Sequence, residues 1–152
     1  MDRDLRAVAT ALGLLAAFAS TDSARLFVST DRGHTWKPSS TGFPADGTVN
    51  DFAVLGKLVF AAPENHGMFL SKDAGRTWGP ANEGFEPDEK IDAVEAAGES
   101  VFAGTHRRGV FVSKAAGNTW SPANDRLTNR TVRALIIAGA RVLAGTNDGI
   151  FG

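Results

Sequence analysis

No cysteine and no tyrosine occur in this sequence. The first absence excludes disulfides, thiol nucleophiles and zinc–thiolate centres, while leaving the compartment open. An excess of charge is also missing, since 16 Lys+Arg face 17 Asp+Glu. With no basic run interleaved with aromatics, nothing here is built to attract nucleic acid or an anionic membrane. No phosphate-cradling loop, HExxH helix or Ser-His-Asp grouping appears. The apolar stretch Ala7–Ala19 is too short to cross a bilayer as a helix.

What the chain does have is glycine, 17 of its 152 residues, together with 10 phenylalanines. That mixture suits short strands joined by tight turns. It also has a repeat. Ser29-Thr-Asp-Arg-Gly-His-Thr-Trp36, Ser71-Lys-Asp-Ala-Gly-Arg-Thr-Trp78 and Ser113-Lys-Ala-Ala-Gly-Asn-Thr-Trp120 stand 42 residues apart (71 − 29 and 113 − 71). Each is preceded two residues earlier by a phenylalanine: Phe27, Phe69 and Phe111.

Upstream of each motif lie three further apolar or alternating runs. In the second unit these are strand A (Val49–Val54), strand B (Lys57–Ala62) and strand C (Gly67–Ser71), and strand D (Thr77–Ala81) follows the motif. Runs this short with β-branched and aromatic content read as strands. Four strands in about 42 residues make one blade of a β-propeller. The expected units are 5–47, 48–89, 90–130 and a partial 131–152, giving an all-β fold of four-stranded antiparallel blades, three whole and one incomplete. An open blade leaves apolar faces and a strand edge exposed. The chain is therefore expected to pair with a second copy, completing a ring of seven or eight blades, or to belong to a longer polypeptide.

Ala7–Ala19 admits two readings. It follows Arg3 and Arg6 and ends in Ala17-Phe18-Ala19, as a secretory leader would. That would place the protein outside the cytoplasm, which is otherwise its expected compartment. Asp2 and Asp4 sit where a leader wants positive charge, and the stretch aligns with strands A and B of the repeat, so blade strands are expected.

The motif Ser-x-Asp-x-Gly-x-Thr-Trp resembles the Asp-box, or bacterial neuraminidase repeat. Asp-boxes occur in sialidases, sortilin-type receptor domains, xyloglucan-cleaving glycosidases and photosystem assembly factors. The resemblance covers nearly the whole chain and implies the propeller fold, but those relatives share no single activity. It implies a structural role for Ser29, Asp31, Gly33 and Trp36, for Ser71, Asp73, Gly75 and Trp78, and for Ser113, Gly117 and Trp120. The motif falls between strands C and D, so it is a hairpin turn. Its serine and aspartate are expected to accept backbone N–H groups, its glycine to take φ > 0, and its tryptophan to pack within or between blades. The third motif departs from the pattern with Ala115 at the aspartate position.

Alternating strand direction puts the B–C turns and D–A connections on one face. That face collects Glu64, Asn65 and His66, then His106, Arg107 and Arg108, then Asn147 and Asp148, with Asp46, Asp88, Glu89, Lys90 and Arg130 from the D–A connections. Ligand contacts on repeat scaffolds sit on such loops. The candidate ligand residues are Glu64, His66, His106, Arg107, Arg108 and Asp148. His66 and His106 lack a clear third ligand for a metal, and no cofactor is expected. Sialidases of this resemblance use a tyrosine nucleophile, which this chain cannot supply, and no Arg-Ile-Pro-type segment precedes the first repeat. Xyloglucan-cleaving relatives need two carboxylates across a cleft. Asp46, Asp88, Glu89 and Asp148 offer carboxylates, but their spacing selects no pair. The expected function is a non-catalytic binding or scaffolding module for a protein or glycan. The alternatives are a glycoside-acting enzyme or its remnant, and a truncated or engineered blade set without independent function.

Overall fold

The computed structural model describes residues 5–11, as backbone, together with 16–21 and 25–152. Among the described residues, fifteen strands form four antiparallel sheets. The first sheet contains β1 (Leu5–Ala11), β2 (Ala16–Thr21), β3 (Leu26–Ser29) and β4 (Lys37–Pro38). The second contains β5 (Val49–Leu55), β6 (Leu58–Pro63), β7 (Phe69–Ser71) and β8 (Gly79–Pro80). The third contains β9 (Ile91–Ala97), β10 (Ser100–Thr105), β11 (Val110–Ser113) and β12 (Ser121–Pro122). The fourth holds β13 (Val132–Ala138), β14 (Arg141–Thr146) and β15 (Gly149–Phe151). Each sheet is a simple meander in chain order.

The apolar stretch near the N-terminus thus supplies β1 and β2, paired from Leu5↔Thr21 to Ala11↔Ala16, as the blade reading requires. The expected B run of this unit begins at Leu14, and its first two residues lie outside the described ones. Among the described residues no helix is long and apolar enough to cross a membrane.

The sheets pack face to face in series, with β1 against β5, β5 against β9 and β9 against β13, and no comparable packing joins β13 back to β1. Among the described residues the blades form an arc in which the first and fourth do not meet. The core lies between the blades. One cluster, with Phe18, Phe52, Val59, Phe69 and Trp78, joins the first and second sheets. Another, with Phe60, Met68, Ile91, Val94, Phe111 and Trp120, joins the second and third. A smaller one, with Ala93, Val110, Leu127, Val132 and Leu135, joins the third and fourth.

Strand D is shorter than its sequence suggests: two residues, Gly79–Pro80, in place of Thr77–Ala81. Proline ends each outer strand, at Pro38, Pro80 and Pro122. It has no N–H to extend a ladder and is tolerated at a sheet edge, where it discourages pairing with a further strand.

The signature turns share one hydrogen-bond scheme. Ser71 Oγ accepts the Gly75 N–H at 2.7 Å and donates to Asp73 Oδ1 at 2.8 Å. Asp73 then accepts the Thr77 N–H at 2.8 Å and the Thr77 hydroxyl at 2.6 Å. Ser29, Asp31, Gly33 and Thr35 repeat this. The Thr77 hydroxyl and N–H hold the Asp73 carboxyl down to about 2, and the equivalent bonds from Thr35 and Ser29 lower Asp31 further still. In the third turn Ser113 still accepts the Gly117 N–H at 2.9 Å, but Ala115 offers Thr119 nothing. Ala115→Asp is therefore expected to stabilise the protein by about 1 kcal/mol, or about 2–4 °C in thermal melting. A carboxyl with a depressed folded pKa stabilises above its unfolded value near 4 and loses that contribution as pH falls. The gain should thus be full at pH 6 and gone near pH 2, which paired melts at the two pH values will show.

Candidate functional site

The loops of the B–C and D–A face meet in a cleft of ≈ 490 Å³ at the boundary of the second and third blades. Three segments build it: the turn after β6, the connection from β8 to β9, and the turn between β10 and β11. Asn65 sits in the first at φ 67° and Asp88 in the second at φ 58°. Both residue types tolerate this left-handed region. The third segment is fixed by backbone bonds, His106 N–H to the Lys90 carbonyl at 2.9 Å and Gly109 N–H to the Arg130 carbonyl at 2.9 Å. The Arg108 N–H is capped by Thr105 Oγ1 at 2.9 Å.

Charged groups converge here. Arg108 bridges two carboxylates, Glu86 at 3.2 Å and Glu89 at 3.3 Å. The Glu89 side chain is almost wholly buried, and burial pushes its carboxyl above the usual range, with the Arg108 charge only partly opposing. Lys90 pairs with Glu64 at 3.3 Å at the rim. Arg107 also lines the cleft; among the described residues it makes no close ion pair and only a longer-range attraction to Glu89, so its N–H donors remain available to an incoming anion.

Beside the cleft a second cluster crosses the blades. Asp92 on β9 is nearly buried and lies 3.0 Å from both His106 Nδ1 and Arg133 Nη1. Arg133 Nη1 is also 3.1 Å from His106 Nδ1. One nitrogen cannot donate to Asp92 and accept from Arg133 at once. The carboxylate is the stronger partner, which favours the Nδ1–H···Asp92 bond over acceptance from Arg133.

Of the residues expected on this face, Asn65, Asp88, Glu89, Lys90, His106, Arg107 and Arg108 line the cleft, and Glu64 adjoins it through Lys90. His66 lines a neighbouring hollow of ≈ 330 Å³ that shares Asn65 and Glu86–Glu89, and it pairs with Asp46 at 3.1 Å. The two imidazoles are thus held by different carboxylates. Asn147 and Asp148 do not join them: they occupy the exposed turn of the fourth blade, where the Asp148 N–H meets Thr146 Oγ1 at 3.2 Å. Arg130 does not line the cleft; its carbonyl accepts the Gly109 N–H and its side chain runs beside Gly109.

Sequence reasoning missed Glu86, Asp92 and Arg133. The available signal was a recurrent polar residue, second in the inner strand: Asn50, Asp92 and Arg133. Asp51 was missed too. It accepts the Phe52 and Val94 N–H groups at 2.9 Å each, tying the second blade to the third, and burial raises its carboxyl.

The signature turns lie away from this cleft. Trp78 and Trp120 are buried between blades. Trp36, expected like the others to pack within or between blades, lies against its own blade and is 40% exposed. Trp78 and Trp120 each pack on the preceding blade, and among the described residues no blade precedes the first.

No family model matches the sequence, and no curated protein matches it. Solved structures do. A structure of YCF48 bound to a D1 peptide superposes with TM-score 0.70 at 18% identity, covering 94% of this chain and 48% of that one. The computationally designed Ika4 protein matches with TM-score 0.72 at 12% identity, covering 97% of this chain and 90% of that one. An ancestral GH74 enzyme gives TM-score 0.76 at 18% identity, over 96% of this chain and 22% of that one. The chain is similar to propellers and spans about half of the YCF48 chain and less than a quarter of the GH74 enzyme. At these identities the likeness shows the fold, and this chain is a partial propeller.

Proposed function

We propose that this propeller module binds a protein or glycan ligand in the cleft between its second and third blades, without catalysing a reaction on it. The observation that carries this reading is the cleft's division of labour. Arg108, Glu86 and Glu89 hold one another in place, as do Asp92, His106 and Arg133, while Arg107 stays unpaired at the opening. Such a site presents ordered polar groups and one free fork-shaped donor, the chemistry that captures a carboxylate or an acidic segment. The peptide carried by the YCF48 structure supports a protein ligand over a glycan. The signature turns act as Asp-boxes in this reading, bracing the blades that carry the loops. Screening the protein on peptide and glycan arrays should give hits enriched in acidic groups. Arg107→Glu should weaken them at least tenfold, since it reverses a charge that makes no close ion pair and acts on the fold only through its longer-range attraction to Glu89. Empty arrays with folded protein would contradict the reading, as would hits indifferent to Arg107.

The same proposal includes self-association. Trp36, Ile136 and Ile150 are the large apolar side chains left exposed among the described residues. Trp36 belongs to the first blade and the two isoleucines to the fourth, at the open ends of the arc. Two copies joined end to end would cover all three.

A second reading, a glycoside-acting enzyme, is favoured by carboxyls of raised proton affinity. Burial raises Glu89 in the cleft, and it raises Asp51 and Glu95 on the inner strands, Glu95 further through the Asp51 charge. Turnover on polysaccharides that Glu89→Gln or Glu95→Gln abolishes would establish it, and inactivity across a broad panel would remove it.

A further inference from the structure

Another cavity, of ≈ 490 Å³, opens where the third signature turn meets the outer strand of the second blade, sharing no lining residue with the charged cleft. Both blades that wall it have a neighbour on either side, so its shape owes nothing to the first or last strands of the arc. Buried Leu70 and Trp78, with Pro80, give it an apolar floor, and exposed Lys72, Glu83 and Asn118 stand around it.

A missing side chain keeps the cavity open. Gly79 lies opposite Leu70 in the strand pairing, where the first blade sets Lys37 opposite Val28 and the third sets Ser121 opposite Val112. A Cβ on Gly79 would meet nothing within 4 Å.

The polar side chains here are uncommitted. Among the described residues the Lys72 ammonium, the Glu83 carboxylate and the Asn118 amide have no ion pair and no hydrogen-bond partner. The backbone that carries them is nevertheless fixed. The Glu83 carbonyl accepts the Trp120 N–H at 2.9 Å, and the Asn118 N–H meets the Ala115 carbonyl at 3.0 Å. Such groups are ordered before any ligand arrives, which lowers the cost of binding.

The lining also says what kind of ligand fits. Lys72 and Glu83 are its only charged residues and they cancel, so no net field selects an anion or a cation. An added polypeptide strand is poorly served, because β8 is two residues long and Pro80 offers it no N–H. A neutral molecule with apolar C–H faces and many hydroxyls meets both conditions. We infer that this cavity is a binding site for a neutral oligosaccharide. Its ring faces rest on Leu70, Trp78 and Pro80. Its hydroxyls accept from Lys72, donate to Glu83 and do both with Asn118, as those groups require. A small set of polar groups around an apolar floor is the usual build of a small-ligand site.

The test is titration of the neutral disaccharides cellobiose, maltose, lactose and di-N-acetylchitobiose into the isotope-labelled 152-residue protein. At least one should bind saturably and shift the amide resonances of Lys72, Gly79 and Asn118, leaving Arg107 and Arg108 unmoved. Gly79→Lys, which puts the first blade's side chain at a position with room for it, should abolish those shifts. Glu83→Ala and Asn118→Ala, at exposed positions whose side chains have no partner to lose, should each weaken binding severalfold. Arg107→Glu should leave it unchanged, which separates this site from the charged cleft. A disaccharide carrying a uronic acid should bind no tighter than its neutral counterpart. No saturable binding by any of the four sugars, binding that survives Gly79→Lys, tighter binding of the acidic sugar, or shifts confined to Arg107 and Arg108 would each overturn the inference.

Discussion

Trp120→Ala is expected to destabilise the protein by about 3–5 kcal/mol, the range for removing a large buried aromatic, whereas Trp36→Ala in dilute solution should cost no more than about 1 kcal/mol. The two residues occupy the same position of the same repeat. What separates them is the neighbour each finds. Trp120 is 3% exposed, seated between Phe60 and Phe85, with its indole N–H on a carbonyl of the preceding blade. Removing it opens a cavity between blades and leaves the Ala81 carbonyl without its partner, and the two costs add. Trp36 has only its own blade to lean on and loses little. Chemical denaturation of both variants at low protein concentration measures the difference. Equal losses would mean that the indole matters to its own hairpin more than to the joint between blades.

The second large effect concerns the glycines of the same turns. Gly117 has φ +82°, and a Cβ there would run into the Phe60 ring of the preceding blade; Gly75 stands in the same relation to Phe18. Gly33, at φ +88°, has only its own Trp36 ring nearby, at 3.9 Å. Gly33→Ala should therefore cost only the left-handed backbone penalty of about 1–2 kcal/mol. Gly117→Ala should cost that and a further 1–3 kcal/mol, roughly, for forcing extra volume into a packed joint. Both turns keep the serine-to-glycine bond, but Ala115 replaces the aspartate in the third, so Gly75→Ala, against Phe18 in a turn that keeps Asp73, is the matched partner for Gly33→Ala. If both substitutions cost the same, blade packing does not reach the turn.

These pairs also mark how far the sequence was legible. The repeat exposed the strand order and the turns, because a blade's apolar runs and its glycine recur at fixed spacing. It could not show that Trp36 is left out. Each unit's tryptophan is served by residues one unit earlier, and a repeat written in one dimension looks the same at its end as in its middle. Nor did the motif reveal that Arg32, Ala74 and Ala116, each just before the glycine, also take positive φ at 59°, 59° and 52°. Alanine carries no local preference for that region, and the Ser–Gly bond with the surrounding hairpin imposes it.

On the candidate site, loop residues were visible as a polar, variable set on one face, and most of them do converge. Asp148 did not, because the fourth blade's turn sits one blade away from the cleft. Asp92 and Arg133 were hidden for the opposite reason. They stand 41 residues apart in sequence (133 − 92) and meet only across the blade joint, and at the equivalent position the second blade uses Asn50 to reach the Ile91 carbonyl. The position stays polar while its partner changes from unit to unit, so the recurrence marks a polar site without showing what it meets.

The account rests on blades that are complete only when both neighbours are present, and on two ends that lack one. Sedimentation equilibrium of the 152-residue protein over a range of concentrations tests this directly. The mass should rise with concentration toward twice that of the chain, and Trp36→Glu or Ile136→Lys, which place charge on opposite ends of the arc, should each hold it at one. A mass fixed at one chain throughout, for a folded protein with Trp36 in place, would contradict it.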